Sequence, residues 1–368
     1  HDLVAVTDDY QRMRERLDRA RRELESLRAV VPEREAEVAE SADFLGWLGR
    51  GNFVFLGYRS FRAAADGGRG LEPEPGSDLG LFRRRSPAGD EPDAEPLPPA
   101  VESEARLLTV GRSTAESTVH RAARMDVVRC KRLDAKGRLT GFHVFVGLFT
   151  GRAYNEESAE VPVLRQKLRE ILTAEQVLPE SHDYKTIVSI FDTIPKPDLF
   201  ELPVSALRAD VRAILSVEGT DTVRVHLWPS AGGRGLTVMV ILHRDRFSGE
   251  ARRRIQELLE ERFGKAVVDT QLALGESEQA RLHFYLAGPV SLSAVRVENL
   301  EKEIAGIVRS WDERLRERLS ADLPGAAGRA LADRYAALFT PEYKASTDVS
   351  EAVADIRRIE GLARPVGT

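Results

Sequence analysis

The stretch Gly111-Arg-Ser-Thr-Ala-Glu-Ser-Thr-Val-His-Arg121 reads as a loop that packs polar side chains of several kinds into one short segment. Arg112 and Arg121 could grip a carboxylate or phosphate through paired N–H donors, Ser113, Ser117 and Thr118 could add hydroxyl contacts, and His120 could move a proton. The same hydroxyls can instead cap turns and satisfy backbone groups. No nucleophile or metal constellation accompanies them, so the structural reading of this stretch is the stronger one.

Other chemistry is missing by motif. No GxGxxG opens a helix after a strand, and GxxxxGK[ST], GxSxG, HExxH and CxxC do not occur. Gly49-Arg-Gly51 and the glycines of 232–235 come nearest to a phosphate cradle, and both have the wrong spacing. The seven histidines include no pair at i,i+3 or i,i+4, which leaves a helical metal site unsupported. His226, His243 and His283 fall in predicted strands of one sheet and could neighbour one another, but they read as satisfied sheet residues. Cys130, the single cysteine, excludes a disulfide framework and a cysteine-based zinc site within one chain, and reads as a small buried apolar group. No catalytic residue, no metal ligand and no resident cofactor is assigned.

These residues must be held by a chain of 368 residues, 42% hydrophobic and 31% charged, long enough for two or three domains with ample core. The net charge of −5 argues against a duplex-binding surface, and no apolar run approaches the ~18 residues of a membrane span. The expectation is a soluble, cytosolic protein. The start at His1 and the loop-like 361–368 read as cut ends of something longer.

Hydrophobic period divides the chain. Met13, Leu17, Ala20, Leu24, Leu27 and Val31 form one stripe on a charged helix, read as packing on its own domain in preference to a coiled coil. Asn52–Phe61, Leu79–Phe82 and the hairpin 125–132/139–149, turning at Asp134-Ala-Lys-Gly137, predict an antiparallel sheet over 43–150. Segments 63–78 and 86–100 read as loops. Val163, Leu164, Lys167, Leu168, Ile171 and Leu172 share a helix, and Ile187–Phe191 another. A strand at Leu199–Leu202, a helix at 204–217, strands at 222–228 and 236–243, a helix at 248–263 and strands at 266–274 and 281–287 give βαββαβ with one extra strand. One long helix then follows over 297–319, with helical fragments to the end. The central strands offer only Phe200 for stacking a base, so nucleic-acid binding is not expected.

Several strings occur together in order: Phe53-Val-Phe-Leu-Gly-Tyr58, Ser117-Thr-Val-His-Arg121 with Asp126, Gly147-Leu-Phe-Thr150, Tyr154-Asn-Glu156, Val161-Pro-Val-Leu-Arg165, Ser181-His-Asp183, Phe339-Thr-Pro-Glu-Tyr343 and Glu351-Ala-Val-Ala-Asp355. From about residue 40 onward the chain resembles the N-terminal regulatory portion of the large bacterial NAD-specific glutamate dehydrogenases. Phe149 stands where that family leads one to expect Tyr. The resemblance implies a PAS-like antiparallel sheet domain (41–152) and an ACT-like ferredoxin-like domain (198–290), which with the helical segments read from periodicity, N-terminal (1–40), linker (153–197) and C-terminal (291–368), make an α+β multidomain chain. It implies a catalytic part elsewhere in the parent chain that oxidises L-glutamate with NAD, self-association into homo-oligomers, and a small-molecule effector such as an amino acid. By analogy with ACT domains, that effector would sit at Leu202, Pro203, Val204 and Ser205, where the start of a helix suits a carboxylate. The rival reading is an assembly scaffold that holds subunits together through the helices at 10–31 and 297–319 and binds no metabolite.

Overall fold

Helix α1 (Asp2–Ser26) buries Met13, Leu17, Ala20 and Leu24 completely or nearly so against a sheet, which makes its stripe part of that domain's core. The computed structural model describes residues 2–63, 71–83, 106–217, 220, 222–229, 235–274, 278–292, 295–323 and 325–362. The whole of the expected loop 86–100, residues 64–70 of the loop expected at 63–78, and the glycine turn 230–234 lie outside the described residues. Helix α2 (Glu35–Trp47) follows α1, and both pack on strands β1 (Phe53–Ala63), β2 (Leu71–Pro73), β3 (Leu79–Gly80), β4 (Leu108–Glu116), β5 (Arg124–Leu133) and β6 (Leu139–Phe149). The strands run β2-β1-β6-β5-β4, with β3 paired to β1, all antiparallel. Asp134 closes the β5–β6 hairpin by accepting from the N–H groups of Lys136 and Arg138, and Gly137 supplies the positive φ that the turn needs. Gly141 permits the close pairing of β6 with β1, since a Cβ there would lie 2.0 Å from the Phe61 carbonyl oxygen.

The polar stretch 111–121 was expected as a loop. Its first half is instead the β4 edge strand, with Val110 and Arg112 both buried, and only 117–123 is irregular. The β-forming Val and Thr residues outweigh the hydroxyl-rich composition there.

After β6 come helices α3 (Gly151–Asn155), α4 (Leu164–Ala174), α5 (His182–Thr193), α6 (Lys196–Glu201) and α7 (Val204–Ser216). All of them contribute to the same core as the first sheet. Here the strand expected at Leu199–Leu202 is corrected to helix α6. Pro197 at its second position suits a helix start, and Pro203 forces Leu202 to be extended and ends it. Helix α7 likewise belongs to the first core, through Ala206, Leu207 and Val211.

The second sheet comprises β7 (Arg224–Pro229), β8 (Gly235–His243), β9 (Val267–Leu274) and β10 (Gln279–Ala287), in the order β7-β8-β10-β9. Helix α8 (Gly249–Phe263) joins the two hairpins and α9 (Val297–Ile307) follows them. The chain order is therefore ββαββα rather than βαββαβ. Moving the last strand of a split βαβ unit to its front yields this same antiparallel sheet order, so the ferredoxin-like arrangement survives as a circular permutation. Val238, Val240, Leu282 and Phe284 face α8 and α9, while Met239 and Ile241 face the first core.

The helix expected over 297–319 is two. Ser310 caps helix α10 (Trp311–Asp322) and Glu313 returns the bond to the Ser310 N–H, a capping box that starts a new helix after α9. Val297–Val308 accordingly serve the second core. Leu315 and Leu319 serve a third, built with helices α11 (Ala326–Leu338), α12 (Pro341–Ser346) and α13 (Val349–Leu362).

Candidate functional site

Pro203 has no N–H, so the Leu199 carbonyl, four residues earlier, has no helical donor. Lys167 on α4 supplies one. Its Nζ lies 2.7 Å from the Leu199 oxygen and 2.8 Å from those of Phe200 and Leu202. A lysine in the apolar stripe Leu164-Leu168-Ile171 is thus spent on the orphaned end of α6. Burial, with Arg106 nearby, pushes this ammonium down to about 7, and the three carbonyls oppose that shift by favouring the charged form.

Beside this knot lies a cavity of about 410 Å³. It is bounded by Glu37 and Ser41 of α2, Leu108–Gly111 of β4, Arg129 of β5, Gln166 and Lys167 of α4, Phe200–Val204, and Pro229 at the end of β7. The volume falls within the range of small-molecule sites, and the lining is apolar with a few charged groups of both signs. Phe200, which forms part of the wall, stacks on Phe149 at 4.8 Å between ring centres, and Phe149 in turn meets Trp47. This aromatic cluster fixes α2, β6 and α6 around the cavity.

The segment singled out by analogy lies at this cavity, though not for the expected reason. Leu202, Pro203 and Val204 line it, while Ser205 is exposed and outside the lining. The segment is the α6–α7 junction of the first domain, not the first strand-to-helix turn of the second sheet. Lys167, Arg129 and Glu37 were missed. The usable signal was a basic residue within an apolar stripe, and another in a strand between the buried Val128 and Cys130.

The polar stretch 112–121 is dispersed into structural roles. Arg112 is buried and donates to Asp198 at 3.0 Å and to Asp269 of β9 at 3.1 Å, while His283 Nδ1 lies 3.3 Å from Asp198. Burial works against the Arg112 charge, but Asp198, Glu201 and Asp269 outweigh it and raise its pKa. The gap left among these groups is about 10 Å³, too small for a metabolite. Ser113 accepts from the Ala115 N–H, Ser117 closes a turn on Val119, Thr118 donates to Asp2, and Arg121 donates to the Phe149 carbonyl. His120 is exposed, with φ +74°. The three sheet histidines do not converge: His226 pairs with Asp210, His243 with Glu278 and His283 with Asp198. Nearby, burial pushes the Asp126 carboxyl up to about 6 while it accepts the Phe149 N–H.

Family models match three stretches: "Glutamate dehydrogenase, helical motif 1" over 161–220, "Glutamate dehydrogenase, ACT2 domain" over 224–312 and "Glutamate dehydrogenase, helical motif 2" over 318–362. NAD-specific glutamate dehydrogenase of Halomonas elongata is 30% identical over 98% of this chain. The chain belongs to the NAD-specific glutamate dehydrogenase family. The enzymes of that name from Pseudomonas aeruginosa and Mycobacterium tuberculosis are 31% and 27% identical over 89% and 87% of the chain. The chain spans only 20–23% of the length of these relatives. The ACT2 match begins at the first strand of the second sheet, as the permuted order requires. The helical motif 1 match covers α4–α7, the helices that supply Lys167 and the α6–α7 junction to the cavity.

Gly49-Arg-Gly51 leads out of a helix into β1, the reverse of a strand-to-helix cradle, and among the described residues no strand-to-helix turn carries GxGxxG. Among those residues no group of three or more metal-ligating side chains occurs, and no helix is long and apolar enough to cross a membrane.

Proposed function

We propose that this chain is a non-catalytic regulatory and assembly region of an NAD-dependent glutamate dehydrogenase. The parent enzyme would convert L-glutamate, NAD and water to 2-oxoglutarate, ammonium and NADH in the cytoplasm, with NAD held by a catalytic part elsewhere in the same chain. The first sheet would be the PAS-like domain and the second the ACT-like one.

One observation carries the regulatory reading: the cavity of about 410 Å³ at the α6–α7 junction, lined by both charge signs and by apolar side chains. An amino acid, with an ammonium, a carboxylate and a short apolar body, matches that mixture. Arg129 and Arg106 would face the carboxylate and Glu37 the ammonium, with Leu202, Pro203 and Val204 against the side chain. The test is a thermal-shift screen of the enzyme carrying this segment against amino acids, 2-oxoglutarate, NAD and adenine nucleotides. Ligand at 100 times its dissociation constant stabilises a fold by about 2.7 kcal/mol, a shift of a few degrees. A shift with an amino acid supports the reading.

A scaffold without ligand is the second reading, favoured by edge strand β9, which leaves Val268, Leu272 and Leu274 exposed. Flat curves with every compound, together with subunit dissociation in Leu272→Lys, would put that reading first.

A further inference from the structure

A second polar niche lies under α1 and shares no lining residue with the cavity at the α6–α7 junction. It encloses about 90 Å³, far less than the cavity at the α6–α7 junction. Tyr58 and Ser60 of β1, Arg132 of β5 and His143 of β6 form one side. Arg16 and Arg19 reach over from α1, and the turn 74–77 closes it.

The hydrogen bonds show which groups are already committed. His143 Nε2 lies 2.8 Å from Glu23 and its Nδ1 2.8 Å from the Tyr58 hydroxyl, so these three satisfy one another. The bond from His143 leads the effects that hold the Glu23 carboxyl down to about 2, which keeps it an ionised acceptor. Glu23 also takes a bond from Arg19 at 2.9 Å. Glu74 accepts from Ser60 at 2.6 Å and from Arg132 at 3.1 Å. Arg16 is different. Among the described residues no carboxylate pairs with it, and its guanidinium stands half-buried, 5.9 Å from the centre of the Tyr58 ring.

Three guanidinium groups with five N–H donors each thus face two carboxylates that are largely spent. The charge count leaves one positive charge over, on Arg16. A planar fork with an unused pair of donors is the partner of a single carboxylate group, and the niche has room for that group and little more. We propose that this niche binds a small monocarboxylate, or one carboxylate of a larger acid, gripped by Arg16 with Arg19 and Arg132 at its sides. It is a site additional to the effector cavity, and it ties α1 to the face of the first sheet.

The test uses the full-length enzyme and hydrogen exchange read by peptide, at constant ionic strength with chloride replaced by acetate or by inorganic phosphate. Acetate is expected to slow exchange in 53–63, 71–83 and 139–149 with a saturating dependence. Arg16→Gln is expected to raise the half-saturating acetate concentration at least tenfold, while Arg22→Gln, on the exposed face of α1, leaves it in place. Should Arg16→Gln disturb the fold, Arg16→Lys carries the test, because it keeps the charge and loses the fork. The proposal is overturned if acetate gives no local protection, if the Arg16 variants match wild type, or if phosphate protects and acetate does not.

Discussion

The Lys167 ammonium lies 2.7 Å from the carbonyl oxygen of Leu199, an oxygen that Pro203 cannot serve. The short helix α6 can end beside a cavity only because this buried cation takes up its last carbonyls.

Replacing Lys167 with Met keeps the side chain's reach and removes its donors. Three buried carbonyls would then lose their partner, at about 1–3 kcal/mol for each left unsatisfied. We expect Lys167→Met to lose at least about 2 kcal/mol in urea unfolding. Stability unchanged within error would show that the knot does not hold the junction.

The same residue sets a pH dependence. Its folded pKa, pushed down to about 7, lies below the ordinary lysine value of 10.5. Between those values the unfolded chain binds the extra proton, so stability rises as pH climbs from about 7 towards 10.5. Unfolding midpoints measured across that range should rise for wild type and lose this component in Lys167→Met.

Arg112 joins the two sheets through Asp198 and Asp269. Arg112→Met strands the Asp198 carboxylate in a buried site, which typically costs about 3–5 kcal/mol. Asp198→Asn in the same background should recover part of that loss, since the uncompensated charge is gone. Additive losses in the double variant would contradict the pairing.

Helix α1 belongs to the core of the first sheet, where Leu17 is 2% exposed. Leu17→Ala should cost about 2–5 kcal/mol by denaturation. A change within about 0.5 kcal/mol, the usual result on a free surface, would return α1 to the role of a detached helix.

Much of this was legible from periodicity. The stripe from Met13 to Leu24 told which face of α1 is buried, and the Asp134–Gly137 turn placed the β5–β6 hairpin. The strands expected at 222–228, 236–243, 266–274 and 281–287 from their apolar runs fall within two residues of the observed 224–229, 235–243, 267–274 and 279–287. Local pattern failed where a proline or a cap decided the outcome. Leu199-Phe-Glu-Leu202 reads as a strand by composition, yet Pro197 and Pro203 make it one helical turn and a stop. Ser310 and Glu313 split a continuous stripe into two helices that serve different cores. Permutation of the second sheet was hidden as well, because strand order in space leaves no mark on local period. The cavity was only half legible: Leu202, Pro203 and Val204 were reached by analogy, but the β4 edge, Arg129 and Glu37 meet them only through tertiary packing.

The central claim is that the cavity at the α6–α7 junction receives an effector that governs catalysis elsewhere in the chain. The most direct measurement is the rate of glutamate oxidation by the full-length enzyme, titrated with each amino acid, in wild type and in Val204→Trp. The indole would occupy the cavity beside Lys167 and Arg129. The account predicts that an amino acid altering the wild-type rate acts on Val204→Trp only at tenfold or higher concentration, or not at all. An identical response in the two proteins would contradict it.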